Sequence, residues 1–195
     1  NLQWLREGGR AKRVLSVFGL DDNHLPPKSI ELESRVRVHP HSILYQYQRR
    51  VKDRLVRFLP EGNRVLLHMP TGAGKTRTVI EGIVDYWRFF AERDGFIVWL
   101  AHSQELCEQA IESFEKIWRE RGDSPIDMFR LWGKHSGDDI TASSNGFIVA
   151  SLQKIHSMKS TPSNTIFTTI SNIKTKCRMI IIDEAHKAIA PTYKS

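Results

Sequence analysis

Cysteine is scarce: Cys107 and Cys177 are the only two, far apart and without a CxxC pair. That argues against a disulfide framework or a zinc site and suits a reducing compartment. Both fall in apolar-periodic segments and read as small buried hydrophobes. The histidines His24, His39, His41, His68 and His156 show no metal-ligand spacing. No apolar run approaches the roughly 20 residues needed to cross a bilayer, so no membrane partner is expected. There is no initiator methionine, no signal-peptide pattern and no internal repeat. Together these absences point to a cytoplasmic piece of a longer protein.

The 195 residues are 40% hydrophobic and 26% charged, ordinary values for a globular chain with one sizeable core or one core plus a small appendage. The formal charge is +7 and the isoelectric point about 9.6. A basic surplus favours a polyanionic partner, although it does not by itself demand one.

Residues 1–40 carry little pattern. Arg10, Lys12 and Arg13 form a short basic cluster that reads as a solvated face. Val14, Leu15, Val17, Phe18 and Leu20 amount to a turn or two of amphipathic helix. Pro26-Pro27 marks a loop, and the imperfect alternation over 30–38 suits a strand. This stretch is read as an N-terminal extension or the tail of a preceding domain, and residues 41–195 as one domain.

From Leu44 the pattern sharpens. Leu44, Tyr47, Val51, Leu55 and Phe58 recur at helical steps, which predicts a helix over 44–59 ending near Pro60. The apolar run 64–69 predicts a buried strand. It is followed by a glycine-rich loop and a helix carrying Val79, Ile80, Ile83, Trp87 and Phe90. Further strands are predicted at 96–101, 128–132, 147–150 and 179–182, with a helix over 104–121 and a Ser/Thr/Pro-rich loop or insertion over 157–164. Apolar strands separated by amphipathic helices predict an α/β fold with a mostly parallel sheet covered on both faces. Ligands of such sheets bind beyond the carboxyl ends of the strands. Trp87, Trp99 and Trp118 sit at core positions; Trp132, before Gly133, is the one left open to a base or sugar contact.

The residues that carry chemistry do follow the apolar runs. Met69-Pro70-Thr71-Gly72-Ala73-Gly74-Lys75-Thr76 fits the phosphate-loop pattern G-x-x-x-x-G-K-[ST], except that Met69 stands at the first glycine. Thr71, Gly72, Ala73 and Gly74 would wrap backbone N–H groups around phosphates, with the next helix's N-terminus facing the same anion. Lys75 would reach the β- and γ-phosphates of ATP and Thr76 would offer a hydroxyl to Mg²⁺. The last apolar strand runs into Asp183-Glu184-Ala185-His186. Alone that would be a solvated strand end. Beside a phosphate loop, Asp183 reads as the Mg²⁺ partner and Glu184 as the base that orients and deprotonates the attacking water.

The phosphate loop together with Asp183-Glu-Ala-His186 resembles superfamily 2 helicases and translocases with a DEAH box, over about residues 44–195. The closest likeness is to the restriction type III (ResIII) branch. The resemblance implies the first RecA-like lobe of a P-loop NTPase. It makes Leu44-Tyr45-Gln46-Tyr47-Gln48 the element whose glutamine reads adenine, falling on Gln48 with Gln46 as a competing candidate. It makes Ser103 and Gln104, in Ala101-His102-Ser103-Gln104-Glu105-Leu106, and Ser151 and Gln153, in Val149-Ala150-Ser151-Leu152-Gln153, contacts to a nucleic-acid backbone. His102 stands where the family usually has proline. Both serines read equally as helix N-caps. His186 would couple the ATP site to the nucleic-acid side, giving a candidate catalytic set of Lys75, Asp183, Glu184 and His186. The resemblance also implies a second lobe with an arginine finger, so this segment alone is expected to bind ATP weakly and hydrolyse it poorly. DNA is favoured over RNA as the partner, with other subunits and a bacterial source fitting the restriction-like flavour. An RNA helicase or double-stranded-RNA sensor, and a nucleotide-gated switch without sustained motor activity, stand as alternatives.

Overall fold

In the computed structural model the described residues are 16–19, 35, 37, 42–89, 94–160 and 164–185. The chain divides into two compact units, Asn1–Ser42 and Ile43–Ser195. In the first, the described residues include a helical turn at 16–19 that closes with the Gly19 N–H donating to Ser16 O. The basic cluster, the Pro-Pro loop and the apolar positions of the strand expected over 30–38 lie outside the described residues.

The second unit is built on four parallel strands. They are β1 (Gly95–Ala101), β2 (Met128–Leu131), β3 (Asn145–Ser151) and β4 (Cys177–Ile182), in the spatial order β2-β3-β1-β4. The helices are α1 (Gln46–Phe58), α2 (Lys75–Phe89), α3 (Gln104–Arg121), α4 (Leu152–Ser160) and α5 (Asn164–Lys176). Alternate residues of β1 and β3 feed two separate cores, as the period of a strand requires. On one face Ile97, Trp99, Phe147 and Val149 pack against Ile80, Ile83, Val84 and Trp87 of α2 and against Cys107, Ala110, Ile111 and Phe114 of α3. The Phe114 and Phe147 rings stack there with centroids 4.0 Å apart. On the other face Phe96, Val98, Ile148, Ala150 and Leu131 meet Ile140, Met158 and the Ile166–Ile170–Ile173 stripe of α5.

Three features depart from expectation. Residues 63–70 do not join the sheet; Leu66 is 88% exposed and β4 forms the sheet's edge, with Ile180 at 61% and Ile182 at 46% exposure. An apolar run sets a preference for burial, but a strand exists only through its ladder partner, which periodicity cannot reveal. The expected loop at 157–164 is instead the end of α4 and the start of α5, with residues 161–163 outside the described set. The hydroxyls that suggested a loop are absorbed along the helices: Thr168 and Thr175 donate to the carbonyls of Asn164 and Ser171, both at 2.8 Å. Trp132, at 6% exposure, is buried against the core and offers no face for a base.

A charge network ties the helices on the first face. Glu81 and Asp85 of α2 are buried, which is costly for carboxylates unless they are paired. Lys52 of α1 reaches Asp85 at 2.7 Å, and Arg121 at the end of α3 bonds both Glu81 and Asp85. Lys52 thus leaves the otherwise exposed basic set of α1 to fix that helix beside α2.

Helix α3 starts where the Ser103 side chain accepts from the Leu106 N–H at 3.3 Å. Ser103→Ala is expected to lower stability by about 1 kcal/mol, the usual worth of such a cap. In a chain of this size that is a fall in Tm of about 2–4 °C, checked by thermal melting.

Candidate functional site

The carboxyl ends of β1 and β4 and the N-terminus of α2 carry the residues of interest. The loop before α2 turns through a bond from the Ala73 N–H to Pro70 O at 3.1 Å. Gly74 has φ +74°, a conformation that disfavours any side chain, and a Cβ there would push aside Nε2 of Gln48, the end of the side chain that clasps the loop. Helix α2 is then locked in its first turn by Thr78, whose N–H and hydroxyl both donate to Gly74 O at 3.0 and 2.9 Å.

Gln48, at 4% exposure, is the clasp of this loop. Its carbonyl accepts the Tyr45 N–H at 2.9 Å and its amide donates to Ala73 O at 2.8 Å. One side chain therefore closes the start of α1 and holds the backbone of the 69–76 loop. Gln46 is exposed on the same helix turn, so of the two glutamines considered, it is Gln48 that faces the loop. Tyr47 adds a second bond, its hydroxyl to Ala73 O at 3.1 Å, and stacks on Tyr45 with ring centroids 5.8 Å apart. Both rings are exposed. The sequence reading did not single out either tyrosine for a role of its own, although an exposed aromatic pair flanking a glycine-rich loop offers a flat apolar face to a ligand.

On the acidic side the Asp183 N–H donates to Leu100 O at 2.8 Å, carrying the β1–β4 pairing one residue past the strand. Burial pushes the Asp183 carboxyl above the usual range. The nearby Lys75 ammonium, the Glu184 backbone N–H and His102 oppose that rise, while the Glu184 charge adds to it. Lys75 and Asp183, 108 positions apart in the chain, are thus electrostatic neighbours. Glu184 takes φ +51°, the only positive value among described non-glycine residues, and its Oε2 lies 3.7 Å from Nδ1 of His102. His186 lies outside the described residues.

Ser103 and Ser151 sit at neighbouring strand ends, Ala101 being in register with Ser151. Both hydroxyls accept N–H bonds at the start of the following helices, Ser151 from Lys154 at 3.1 Å. The helix-cap reading of these serines is therefore what the structure displays. Gln104 and Gln153 are exposed. Elsewhere, Cys107 is fully buried and its thiol is pushed up to about 11, mainly by that burial, and Cys177 is raised for the same reason.

A glycine loop clasped at a helix N-terminus, near carboxylates at the end of an adjoining parallel strand, is an arrangement suited to an anion in an α/β domain. Residues 41–195 match the family described as "Type III restriction enzyme, res subunit", and the chain belongs to that family, a helicase-like ATPase family with a RecA-like α/β fold. The chain is also 28% identical over 165 residues, 82% of its own length, to a Saccharomyces cerevisiae protein named "Putative ATP-dependent helicase IRC3". It spans 21% of the length of that relative. Among the described residues no helix is long and apolar enough to cross a membrane.

Burial of Asp183 carries a sign that can be checked. Its folded-state pKa is raised, so the stability it contributes is complete below the unfolded carboxylate value. That contribution is lost as pH rises through the folded value. Asp183→Asn, permanently neutral, is expected to raise the Tm of the nucleotide-free protein at neutral pH. The advantage should vanish in acid. Melting curves at neutral and acid pH check both halves.

Proposed function

We propose that this domain is the ATP-hydrolysing lobe of a nucleic-acid-dependent motor, a DEAH-box helicase or translocase acting on DNA. The observation that carries the reading is the placement of Lys75, at the end of a loop whose Gly74 takes φ +74°, close to Asp183 of the Asp183–Glu184 pair. Family membership and the name of the yeast relative point the same way.

In this reading the backbone of 71–76 and Lys75 hold the β- and γ-phosphates, and Gln48 keeps that backbone in shape. The donors fit Mg²⁺, which prefers hard oxygens and keeps several ligands for phosphate and water. Thr76 supplies a hydroxyl and Asp183 a carboxylate, and among the described residues there is no cluster of three metal-ligating side chains that would suit a protein-caged ion instead. Mg²⁺ bound there would neutralise charge on the phosphates. Glu184 orients a water whose oxygen forms a bond to the γ-phosphorus as the bond to the bridging oxygen breaks. Glu184 takes the water's proton, and ADP leaves. Ser103, Gln104, Ser151 and Gln153 lie after adjacent strands, which suits a track for a nucleic-acid backbone, and His186 is assigned the coupling between that track and the ATP site. A second lobe and its arginine finger complete the motor.

The test is steady-state ATPase of the full-length protein with Mg²⁺, alone and with single-stranded DNA, duplex DNA or RNA. DNA stimulation supports the reading. Stimulation by RNA alone moves it to an RNA-directed enzyme. ATP binding without stimulation by any nucleic acid replaces the motor with a nucleotide-gated switch.

A further inference from the structure

We propose that His102 is the positioning residue for Glu184, holding its carboxylate in the orientation that faces the attacking water. This deepens the proposed ATPase reading and rests on it.

Three observations converge. First, β1 and β4 run parallel with Leu100 opposite Ile182, and the Asp183 N–H continues the pairing to Leu100 O. His102 and Glu184 are each two residues beyond those partners, so they leave the sheet side by side. Second, Glu184 sits in the left-handed region at φ +51°. An L side chain holds that conformation against its local preference only where its surroundings fix it. His102 supplies such a contact, with Nδ1 3.7 Å from Oε2 and both side chains about one-third exposed or less. That separation is ion-pair range, and a small side-chain movement brings it to hydrogen-bond length. Third, the base of His102 is itself rigid, because Ser103 directly after it caps α3 and Ala101 directly before it is buried in the sheet.

His102 thus stands beside the candidate base from a strand that carries neither the phosphate loop nor the acidic pair. Its geometry also names its best substitute. The amide nitrogen of asparagine occupies nearly the same place along the side chain as imidazole Nδ1, and both can act as donors.

The experiment is single-turnover and steady-state ATP hydrolysis by the full-length protein with its stimulating nucleic acid, together with melting curves. His102→Ala should lower kcat about 10–30-fold and leave KM for ATP within about 3-fold, because an orientation lost in the transition state lowers turnover rather than binding. His102→Asn should recover to within about 3-fold of the parent. In the His102→Ala/Glu184→Gln double variant the loss should equal that of Glu184→Gln alone, since a positioning residue has nothing left to position. Unchanged kcat in His102→Ala, multiplicative losses in the double variant, or an Asn variant as slow as the Ala variant with an unaltered Tm would each overturn the proposal and leave the ATPase reading standing. If Glu184→Gln itself keeps full turnover, the assignment of Glu184 falls and this one falls with it.

Discussion

Glu184→Gln is expected to cut stimulated ATP turnover by about 10²–10⁴-fold, the usual worth of a positioned general base, while ATP affinity stays within a few-fold of the parent. The two carboxylates of the acidic pair are held differently. Asp183 is partly buried, fixed to the sheet by its own N–H, and accepts the Glu184 N–H at 3.0 Å through Oδ1. Glu184 is turned out of the sheet by its left-handed backbone. Amidation of Glu184 preserves shape and hydrogen-bonding reach but removes the group that takes a proton. In the proposed reading binding rests on Lys75, the loop backbone and Asp183, none of which changes. Filter binding or fluorescence titration with ATP, beside steady-state hydrolysis, separates the two quantities. Equal loss of affinity and turnover would move Glu184 from proton acceptor to ligand-holding group.

The second large effect concerns Gly74. Gly74→Ala should weaken ATP binding about 30–150-fold with little change in Tm. Holding alanine at φ +74° costs roughly 1–2 kcal/mol. Its Cβ would also occupy the place of the Gln48 amide nitrogen, so the bond from Gln48 to Ala73 O must break, at about 1 kcal/mol. The sum, about 2–3 kcal/mol, is the stated range in a dissociation constant. Residues 70–72 of the loop are exposed and 73–76 half-buried, so the loop can relax when no nucleotide is bound and the cost falls mainly on affinity. Gly72, at φ +78° but with open space around it, should show the conformational part alone. Titration of the two alanine variants side by side tests the split; equal losses would mean that the Gln48 contact contributes nothing.

How much of this was legible in the sequence follows from what each signal encodes. Helix α3 begins and ends where periodicity places it, because Leu106, Ala110, Phe114 and Ile117 leave one face to bury and Ser103 and Gly122 bound it. Strands β1 and β3 are legible as apolar runs because they are covered on both faces. The run over 64–69 has the same composition, yet stays out of the sheet. Burial preference is a property of residues, whereas pairing is a property of two segments. Helices α4 and α5 were hidden by serines, threonines and Pro162, although Ile166, Ile170 and Ile173 already stood at helical spacing. At the site, the phosphate-loop spacing and the acidic pair were plain because each is local. The Gln48 clasp on Ala73 spans 25 residues and the His102 contact with Glu184 spans 82; the first depends on how α1 sits against the loop before α2, the second on the β1–β4 register. His102 did leave one trace, as a departure from the family's usual proline.

The strand order has a consequence for how the site comes into being. Strand β4 is the last strand described in the chain, yet it pairs with β1, the first. During synthesis at about 5–20 residues per second, the 108 positions that separate Lys75 from Asp183 take roughly 5–20 s to emerge. From the emergence of Ala101 until β4 follows, β1 shows a bare edge flanked by Phe96 and Val98, a template for pairing with other nascent chains. Asp183 and Glu184, the proposed completion of the phosphate site, ride on the same segment that covers this edge. Acquiring the acidic pair and covering the β1 edge are thus one event, after which β4 itself is the outer strand, and a ribosome-bound chain halted before residue 177 should engage holdase chaperones through the β1 edge that β4 covers in the folded domain.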